Sequence, residues 1–286
     1  MLSQAQLKAK IKRLAKDNHA DARILMRLYM MERFLERISQ SSYAENFVIK
    51  GGILVTSMVG IAQRSTMDID TSIRNVTLSE EDVLQIAKEI SAIDLGDGVT
   101  FEIKRTEKIM DDMEYPGIRL SINALSEEMI TPIKIDISTG DAITPGAIEY
   151  QYRLLLENRS IRLLSYNLET ILGEKLQTIL SRGVLNTRMR DYYDIYTLLL
   201  RFQNGLDTYV FAEAFISTCR KRGTASLIRD RQNIISAIAV DENLRRLWKA
   251  YCRKYSYAAN ISYEDILGSI RKLSELLPSA NSDISI

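Results

Sequence analysis

The chain has 286 residues, of which 46% are hydrophobic and 26% charged, and its formal net charge is +1. Two cysteines without CxxC spacing and a single histidine argue against a disulfide framework, a zinc site and a Ser-His-Asp triad. No run of about 18 apolar residues is present to span a membrane, so the composition favours a globular protein of one or two domains in a reducing cytoplasm.

The chain begins with two predicted helices, because apolar residues recur at helical spacing over 4–17 and again over 21–39. The run FVIK at 47–50 then predicts a short strand. This strand leads into two glycines and a third helix that ends at Gly60. The alternating run MDIDTSI at 67–73 predicts the next strand.

A helix follows over residues 78–93, where Ser79 with Asp82 three residues on resembles a capping box. The next three runs alternate apolar with polar residues and predict strands over 99–109, 117–125 and 132–139. Their connections are too short for helical crossovers, so we expect an antiparallel meander. The segment TPGAIEYQYRLL, residues 144–155, is interpreted as a link with a turn at its Pro-Gly pair.

From about residue 168 the periodicity becomes helical and stays so. Six helices are predicted, over 168–182, 189–203, 207–221, 226–239, 242–255 and 262–276. This segregation predicts an α+β fold, with a sheet-containing N-terminal domain over 1–165 and an all-helical C-terminal domain over 166–286. The second domain has more Lys and Arg than Asp and Glu, a mild basicity that would suit a polyanionic partner.

Two carboxylates stand side by side in the predicted strand 67–73. Asp68 and Asp70 share one face of that strand, while Ile69 points the opposite way, into the core. Two like charges so close would repel each other and raise a pKa unless a cation lies between them. Mg²⁺ prefers carboxylate oxygens and keeps positions for water and phosphate. The pattern therefore indicates a metal site; the alternative is an exposed edge strand with two solvated aspartates.

The glycines before the third helix indicate a phosphate site. Gly51 and Gly52 lie where a strand gives way to a helix, so the backbone can approach a ligand and the helix N-terminus can offer N–H groups to phosphate. Arg64, Ser65 and Thr66 add one cation and two hydroxyls just before the carboxylates. The alternatives are a tight turn at the glycines and a solvated turn at the other three residues.

A third carboxylate, Asp136, lies on the polar face of the predicted strand 132–139, between Ile135 and Ile137, which face the core. We interpret Asp136 as a third metal ligand that helps to deprotonate an attacking hydroxyl. The alternative is a salt bridge to a neighbouring strand, since Lys134 lies on the same face.

The order of strand, Gly-Gly, helix, Asp-x-Asp strand and a later strand with one Asp resembles the DNA polymerase β-like nucleotidyltransferase superfamily. More narrowly, IKGGILVTSMVGIAQRSTMDID resembles the AbiEii/AbiGii toxin family of bacterial abortive-infection toxin–antitoxin pairs. A second block, EKLQTILSRGVLNTRMRDYYDIYTLL at 174–199, resembles the downstream motifs of that family. The chain departs from the broad superfamily pattern at Gly52, where that pattern has serine, and in a longer spacer before Asp68.

The second block also carries a cationic ridge. Lys175, Thr178 and Arg182 fall on one face of the predicted helix 168–182. We expect this face to turn toward the acidic site and to neutralise a triphosphate; the alternative is a solvated helix face. Asp191 alone is an aspartate favoured by the dipole at a helix N-terminus, and the resemblance makes it a catalytic or architectural residue near Lys175.

The resemblance implies a Mg²⁺-dependent nucleotidyltransferase with a mixed sheet in its N-terminal domain. The residues so assigned are Asp68, Asp70 and Asp136 for the metal and for catalysis, Lys175 and Asp191 for catalysis, and Gly51, Gly52, Arg64, Ser65, Thr66, Lys175 and Arg182 for the NTP. It implies a growth-inhibiting cytoplasmic toxin that modifies an RNA acceptor, such as the 3′ end of tRNA. It also implies an antitoxin that has a DNA-binding helix-turn-helix and forms no stable complex with the toxin, and no membrane partner.

Three other functions remain compatible with the sequence. A small-molecule nucleotidyltransferase of the aminoglycoside-modifying kind would keep the Asp-x-Asp pair, but it needs an acidic pocket for its cationic substrate, and the basic second domain argues against one. A non-catalytic NTP-binding protein would be expected to have lost some of the carboxylates. A structural or interaction protein with a helical scaffold would show no Mg²⁺-dependent NTP binding.

Overall fold

The computed structural model describes residues 3–76, 79–109 and 117–278. These residues form ten α-helices and seven β-strands. The chain divides into two compact units, the first made of Met1–Asp141 with Ala147–Tyr166 and the second of Ala142–Gly146 with Asn167–Ile286. No helix of the described part of the chain is both long and apolar enough to cross a membrane.

The first unit is built on a seven-stranded mixed sheet in the order β3-β4-β5-β2-β1-β7-β6. Its strands are β1 Phe47–Lys50, β2 Ile69–Ile73, β3 Thr100–Ile109, β4 Gly117–Ser126, β5 Met129–Thr139, β6 Ile148–Arg153 and β7 Ser160–Ser165. The neighbours β3-β4-β5 are antiparallel, which confirms the predicted meander, and β1-β2 and β6-β7 are antiparallel as well. The pairs β2-β5 and β1-β7 are parallel, so the sheet is mixed.

Strand β6 contradicts the interpretation of residues 144–155 as a link. Strand β6 lies inside that segment and pairs with β7, which in turn pairs with β1. The sequence IEYQYR does alternate, but β6 lies at the edge of the sheet and of its residues only Tyr152 is buried. The weak apolar pattern of an edge strand and the preceding Pro-Gly turn therefore suggested a link where the chain forms a strand.

Four helices belong to the first unit: α1 Gln4–Asp17, α2 Ala22–Gln40, α3 Gly51–Val59 and α4 Glu80–Ser91. Helix α1 starts at a capping box in which Ser3 and Gln6 exchange side-chain and backbone hydrogen bonds. Its apolar residues Leu7, Ile11 and Ala15 are buried, and it packs against α2. The Ser79 hydroxyl caps α4 as predicted, while Leu78 of the predicted helix lies outside the described residues.

Helix α2 buries charged side chains that a purely amphipathic pattern does not predict. Both carboxylate oxygens of Glu32 accept the N–H of Leu155, at 3.1 and 2.9 Å. The guanidinium of Arg33 contacts Glu36 at 3.1 Å and Glu157 at 2.8 Å. Burial raises the pKa of Glu32 to about 8, against the N–H bond from Leu155 and the charge of Arg33, which lower it.

This buried carboxyl makes stability depend on pH. Between the unfolded pKa of about 4.5 and the folded value of about 8, the folded state binds the extra proton, so stability falls as pH rises. The free energy of unfolding should fall by up to ~1.4 kcal/mol per pH unit in this window. Glu32→Gln keeps an acceptor for the Leu155 N–H and should flatten that slope in thermal or urea melts. Glu81→Gln, at an exposed position, is the control. Equal slopes of the free energy of unfolding against pH for the wild type and Glu32→Gln would contradict the prediction.

The second unit is helical, as predicted. Its helices are α5 Leu168–Arg182, α6 Met189–Phe202, α7 Thr208–Lys221, α8 Leu227–Val240, α9 Glu242–Lys254 and α10 Tyr263–Glu275. Side chains of Asn167, Asp207, Asp241 and Ser262 cap four of them by accepting backbone N–H bonds, which explains where those helices begin. Together with the mixed sheet of the first unit, these helices confirm the predicted α+β fold.

Candidate active site

Four charged residues form a row across the middle of the sheet in the first unit. Strand register places Arg119 of β4 opposite Asp136 of β5, Asp136 opposite Asp70 of β2, and Asp70 opposite Lys50 of β1. Directly opposed residues on adjacent strands point to the same face of a sheet. The row therefore presents two carboxylates side by side with a cation at each end.

The glycine turn between β1 and α3 lies directly against Asp70. The N–H of Gly52 donates to Asp70 Oδ2 at 3.0 Å. Gly51 has a φ of +58°, and a Cβ on it would lie 2.3 Å from Asp70 Oδ2. A side chain at position 51 would therefore be strained and would also displace the carboxylate. The turn predicted to bind phosphate is thus also the support that fixes Asp70.

Gly52 is required for a different reason. A Cβ there would lie 2.5 Å from the hydroxyl oxygen of Thr66 and 3.4 Å from the guanidinium of Arg64. The serine of the broad superfamily pattern would therefore clash with Thr66 unless that side chain moved. The Thr66 hydroxyl donates to the carbonyl of Asp68 at 3.2 Å, and Arg64, only 2% exposed, donates to the carbonyl of Ser65. These side chains shape the turn, and their binding to phosphate stays a prediction.

Asp70 is a buried carboxylate with a raised pKa. Burial is the largest cause, and the charges of Asp136 and Asp68 raise the pKa further. The hydrogen bond from the Gly52 N–H and the charge of Lys50 act in the opposite direction. The protein alone therefore does not compensate the negative charge of Asp70 in full.

Asp68 lies immediately before β2 and also has a raised pKa. Burial is again the largest cause, followed by the charge of Asp136. Three cations on separate elements, Lys134 of β5, Arg119 of β4 and Arg27 of α2, lower the pKa. Asp68 thus lies in the combined field of three positive side chains within the first unit.

The Asp68–Asp70 pair fits a divalent cation. Both groups supply the hard oxygen donors that Mg²⁺ prefers, and a cation between them would offset the burial and repulsion that raise both pKa values. No group of three or more His, Cys, Asp or Glu side chains suited to a metal ion occurs among the described residues. The donor set that fits is therefore a pair of carboxylates with remaining positions left for water and phosphate.

Asp136 has a strong partner that the sequence analysis did not identify. Arg119 Nε and a terminal guanidinium nitrogen donate to the two carboxylate oxygens of Asp136 at 2.7 and 2.8 Å. This bidentate ion pair raises the pKa of Arg119. Each oxygen of Asp136 thus accepts one hydrogen bond and keeps a further lone pair, and its role as a third metal ligand stays a prediction.

A buried network supports the other end of the row. The ammonium of Lys50 donates to Asp141 Oδ2, which also accepts hydrogen bonds from Tyr166 at 2.6 Å and from Ser138 at 2.9 Å. Burial alone would raise the pKa of Asp141, but the charge of Lys50 and these hydrogen bonds lower it. Asp141 therefore fixes the Lys50 ammonium at the end of the row that is next to Asp70. No motif in the sequence indicates this arrangement.

In the second unit, the structure brings Lys175 and Asp191 together. The Lys175 ammonium lies 2.9 Å from Asp191 and 2.7 Å from Asp194, and Arg188 lies 2.9 Å from the other oxygen of Asp191. Burial raises the pKa of Asp191, but the charges of Lys175 and Arg188 reverse the shift and lower it. Asp194, three residues after Asp191 on the same helix face, could have been found from that spacing.

The remaining members of the predicted ridge have different surroundings. Thr178 is buried and accepts a hydrogen bond from Arg222 at 3.2 Å. Arg182 is half-buried in the last turn of α5. Lys175 has a side chain that is 12% exposed. A common role of these residues in binding a triphosphate stays a prediction.

Comparison with known proteins gives a family. The family model described as the nucleotidyl transferase AbiEii toxin of type IV toxin–antitoxin systems matches residues 33–269. No curated protein matches the chain. Among solved structures, JHP933 from Helicobacter pylori aligns with a TM-score of 0.48 and 15% identity over 88% of this chain and 90% of that one. An antigenic nucleotidyltransferase-like protein from Paracoccidioides brasiliensis aligns with a TM-score of 0.38 and 14% identity over 73% and 92%.

Proposed function

This chain belongs to the AbiEii family of nucleotidyltransferase toxins, and we propose that it transfers a nucleotide from an NTP to an RNA acceptor with the aid of Mg²⁺. The proposed acceptor is the 3′ end of a tRNA, and the proposed consequence is inhibition of growth in the cytoplasm. The type IV description implies an antitoxin. We propose that this antitoxin carries a DNA-binding helix-turn-helix and forms no stable complex with the toxin.

The observation that carries this proposal is the Asp68–Asp70 pair. The two carboxylates are two positions apart, both have raised pKa values, and Asp70 is fixed by the Gly52 N–H at 3.0 Å. When bound there, Mg²⁺ would supply a positive charge to the phosphates and to the attacking and leaving oxygens of an in-line displacement. The protein's own contribution is to hold Asp70 against the glycine turn through the Gly52 N–H, two positions from Asp68.

The proposed reaction is a displacement at the α-phosphorus of the NTP. A hydroxyl oxygen of the acceptor attacks the α-phosphorus and forms a new phosphorus–oxygen bond. The bond between the α-phosphorus and the oxygen that bridges it to the β-phosphate breaks, and pyrophosphate leaves. The proton of the hydroxyl passes to a nearby base, and Asp136 is our candidate. Arg119 orients Asp136 through two hydrogen bonds, and each carboxylate oxygen keeps a second lone pair with which to accept the proton.

The other proposed contacts are with the triphosphate. Gly51, Gly52, Arg64, Ser65 and Thr66 form the phosphate side of the proposed site. Lys175 and Arg182 are proposed to neutralise the triphosphate, with Asp191 orienting Lys175 through the contact at 2.9 Å. A bound triphosphate would then compete with Asp191 and Asp194 for the Lys175 ammonium.

A transfer assay tests the proposal. Purified protein is incubated with each α-labelled NTP in turn, with Mg²⁺ and bulk tRNA, and we expect label on RNA with one NTP or a small subset. Chelation of Mg²⁺ by EDTA should abolish the signal. An aminoglycoside in place of RNA tests the small-molecule alternative in the same assay. Label on the aminoglycoside but not on RNA, or Mg²⁺-dependent NTP binding without any transfer, would overturn the proposal.

A further inference from the structure

Helix α1 presents a strongly basic outer face. Its exposed cationic residues are Lys8, Lys10, Lys12, Arg13 and Lys16. The one acidic residue of the helix, Asp17, lies 3.8 Å from Arg13 in an exposed contact that contributes little. No ion pair with another described residue holds any of the four lysines. The outer face therefore carries uncompensated positive charge along the helix.

This face is not part of the region that defines the family. The family model matches from residue 33, so α1 and the first half of α2 precede it. The packing of α1 does not require the lysines either, since Leu7, Ile11 and Ala15 form its buried side. The lysines are therefore available for an external contact, and their clustering on one helix is typical of a patch that binds phosphates.

The charge continues from α1 toward the carboxylate pair. Residues 18–21 turn the chain back, so that the end of α1 meets the start of α2, where Arg23 is exposed and Arg27 is half-buried. Arg27 is also one of the cations whose charge acts on Asp68. Arg23 is paired with Asp21 at 3.3 Å, so Arg27 is the cation of this helix pair that acts near Asp68.

A groove on one flank of α1 adds a second wall. This open groove of about 380 Å³ lies between α1 and the connection from β6 to β7. Lys10 and Arg13 line one wall and Arg153 the other, with Leu14 and Leu154 among the apolar lining residues. The two acidic lining residues are already paired with cations, Asp17 with Arg13 and Glu157 with Arg33 and Arg159. Cations on both walls of a groove suit a chain of phosphates better than a single small anion.

Charge complementarity therefore indicates a polyanion, and the packing of α1 decides which one. An amphipathic helix binds a membrane by burying its apolar face among lipids. The apolar face of α1 is already buried in the protein, which leaves only charge for an external partner. Nucleic acids are bound largely through such phosphate contacts.

We propose that the basic face of α1 is the docking surface for the phosphate backbone of the RNA acceptor. This inference rests on the proposed function, in which RNA is the acceptor, and it adds a binding surface outside the catalytic residues. The surface holds the RNA while its reactive end reaches the carboxylate pair.

The test is RNA binding by the full chain without NTP. Binding of fluorescent bulk tRNA is measured across a series of salt concentrations for the wild type and for Lys8→Gln/Lys12→Gln/Lys16→Gln. The matched control is Lys88→Gln/Lys221→Gln/Lys249→Gln, which removes the same charge from exposed positions elsewhere. Loss of three phosphate contacts should weaken binding at least ~10-fold at ~0.1 M salt and reduce the slope of log K against log salt by about 2. The control variant and the wild type should have the same RNA affinity and the same salt slope, and all three proteins should melt at similar temperatures.

Each outcome has a defined meaning. Equal RNA affinity and equal salt slope for the α1 variant and the wild type would overturn the docking surface, whether or not the enzyme transfers nucleotides. Weaker RNA binding by the α1 variant, with the control variant unchanged, supports the docking surface. If the wild type transfers no nucleotide to RNA, that separate result counts against the proposed function only. Vesicles of equal parts phosphatidylserine and phosphatidylcholine are the second probe. Lysine-dependent binding to them, with RNA binding unchanged, would assign the surface to membranes and overturn the proposal.

Discussion

Asp70→Asn is expected to lower nucleotide transfer by at least ~10³-fold while leaving the free energy of unfolding unchanged or raised. The asparagine keeps an oxygen for the Gly52 N–H at 3.0 Å but loses the charge that would hold Mg²⁺. Because burial raises the pKa of Asp70, ionisation of this side chain opposes folding, and its removal relieves that cost. Activity and stability should therefore change in opposite directions.

The measurements are the transfer rate over a Mg²⁺ titration and a urea or thermal melt. Asp94→Asn is a close control, because Asp94 is exposed and accepts the N–H of a glycine, Gly96, at 2.8 Å. That variant removes the same charge and should change neither quantity much. Asp68→Asn should reproduce the loss of transfer. A rate within tenfold of wild type for Asp70→Asn would rule out the carboxylate pair as the metal site.

Gly51→Ala is expected to lower transfer by at least ~10²-fold, because its Cβ would lie 2.3 Å from Asp70 Oδ2 and push the carboxylate out of place. The stability cost has two sources. The φ of +58° disfavours alanine by ~1 kcal/mol, and relief of the clash adds ~1–3 kcal/mol more.

Gly96→Ala separates these two sources. Gly96 has a φ of +62°, nearly that of Gly51, but nothing lies within 4 Å of a Cβ built on it. It should therefore show the backbone cost alone and retain full transfer activity. The comparison requires kcat/KM and the free energy of unfolding for both variants. If the two alanine variants were equally stable and equally active, the close approach of Asp70 to residue 51 would be wrong.

The local parts of the candidate site could be predicted from the sequence, because they depend on spacing along one segment. Asp68 and Asp70 are two residues apart, and Gly51-Gly52 follow directly after a strand. A strand's alternation and a turn's need for glycine are properties of neighbouring residues. The sequence therefore indicates the pair and the turn without any tertiary contact, but it does not indicate their contact with each other.

The cross-strand parts could be predicted only in part. Strands β4 and β5 meet at a tight turn where Ser126 pairs with Met129, and counting back from there pairs Arg119 with Asp136. Once the turn is located in the sequence, this ion pair can be predicted. The parallel pairing that brings Asp70 beside Asp136 was not, since α4, β3 and β4 intervene between β2 and β5. Long-range register depends on packing of the whole sheet rather than on local pattern.

The contact of Gly52 with Thr66 has a consequence for how this family can diverge. A Cβ at position 52 would meet both the hydroxyl oxygen of Thr66 at 2.5 Å and its Cβ at 3.2 Å. The two positions are therefore expected to be epistatic: serine at 52 requires the Thr66 side chain to move or to be replaced. Substitutions that interconvert the Gly-Gly and Gly-Ser forms of the turn should therefore covary with residue 66 among homologues.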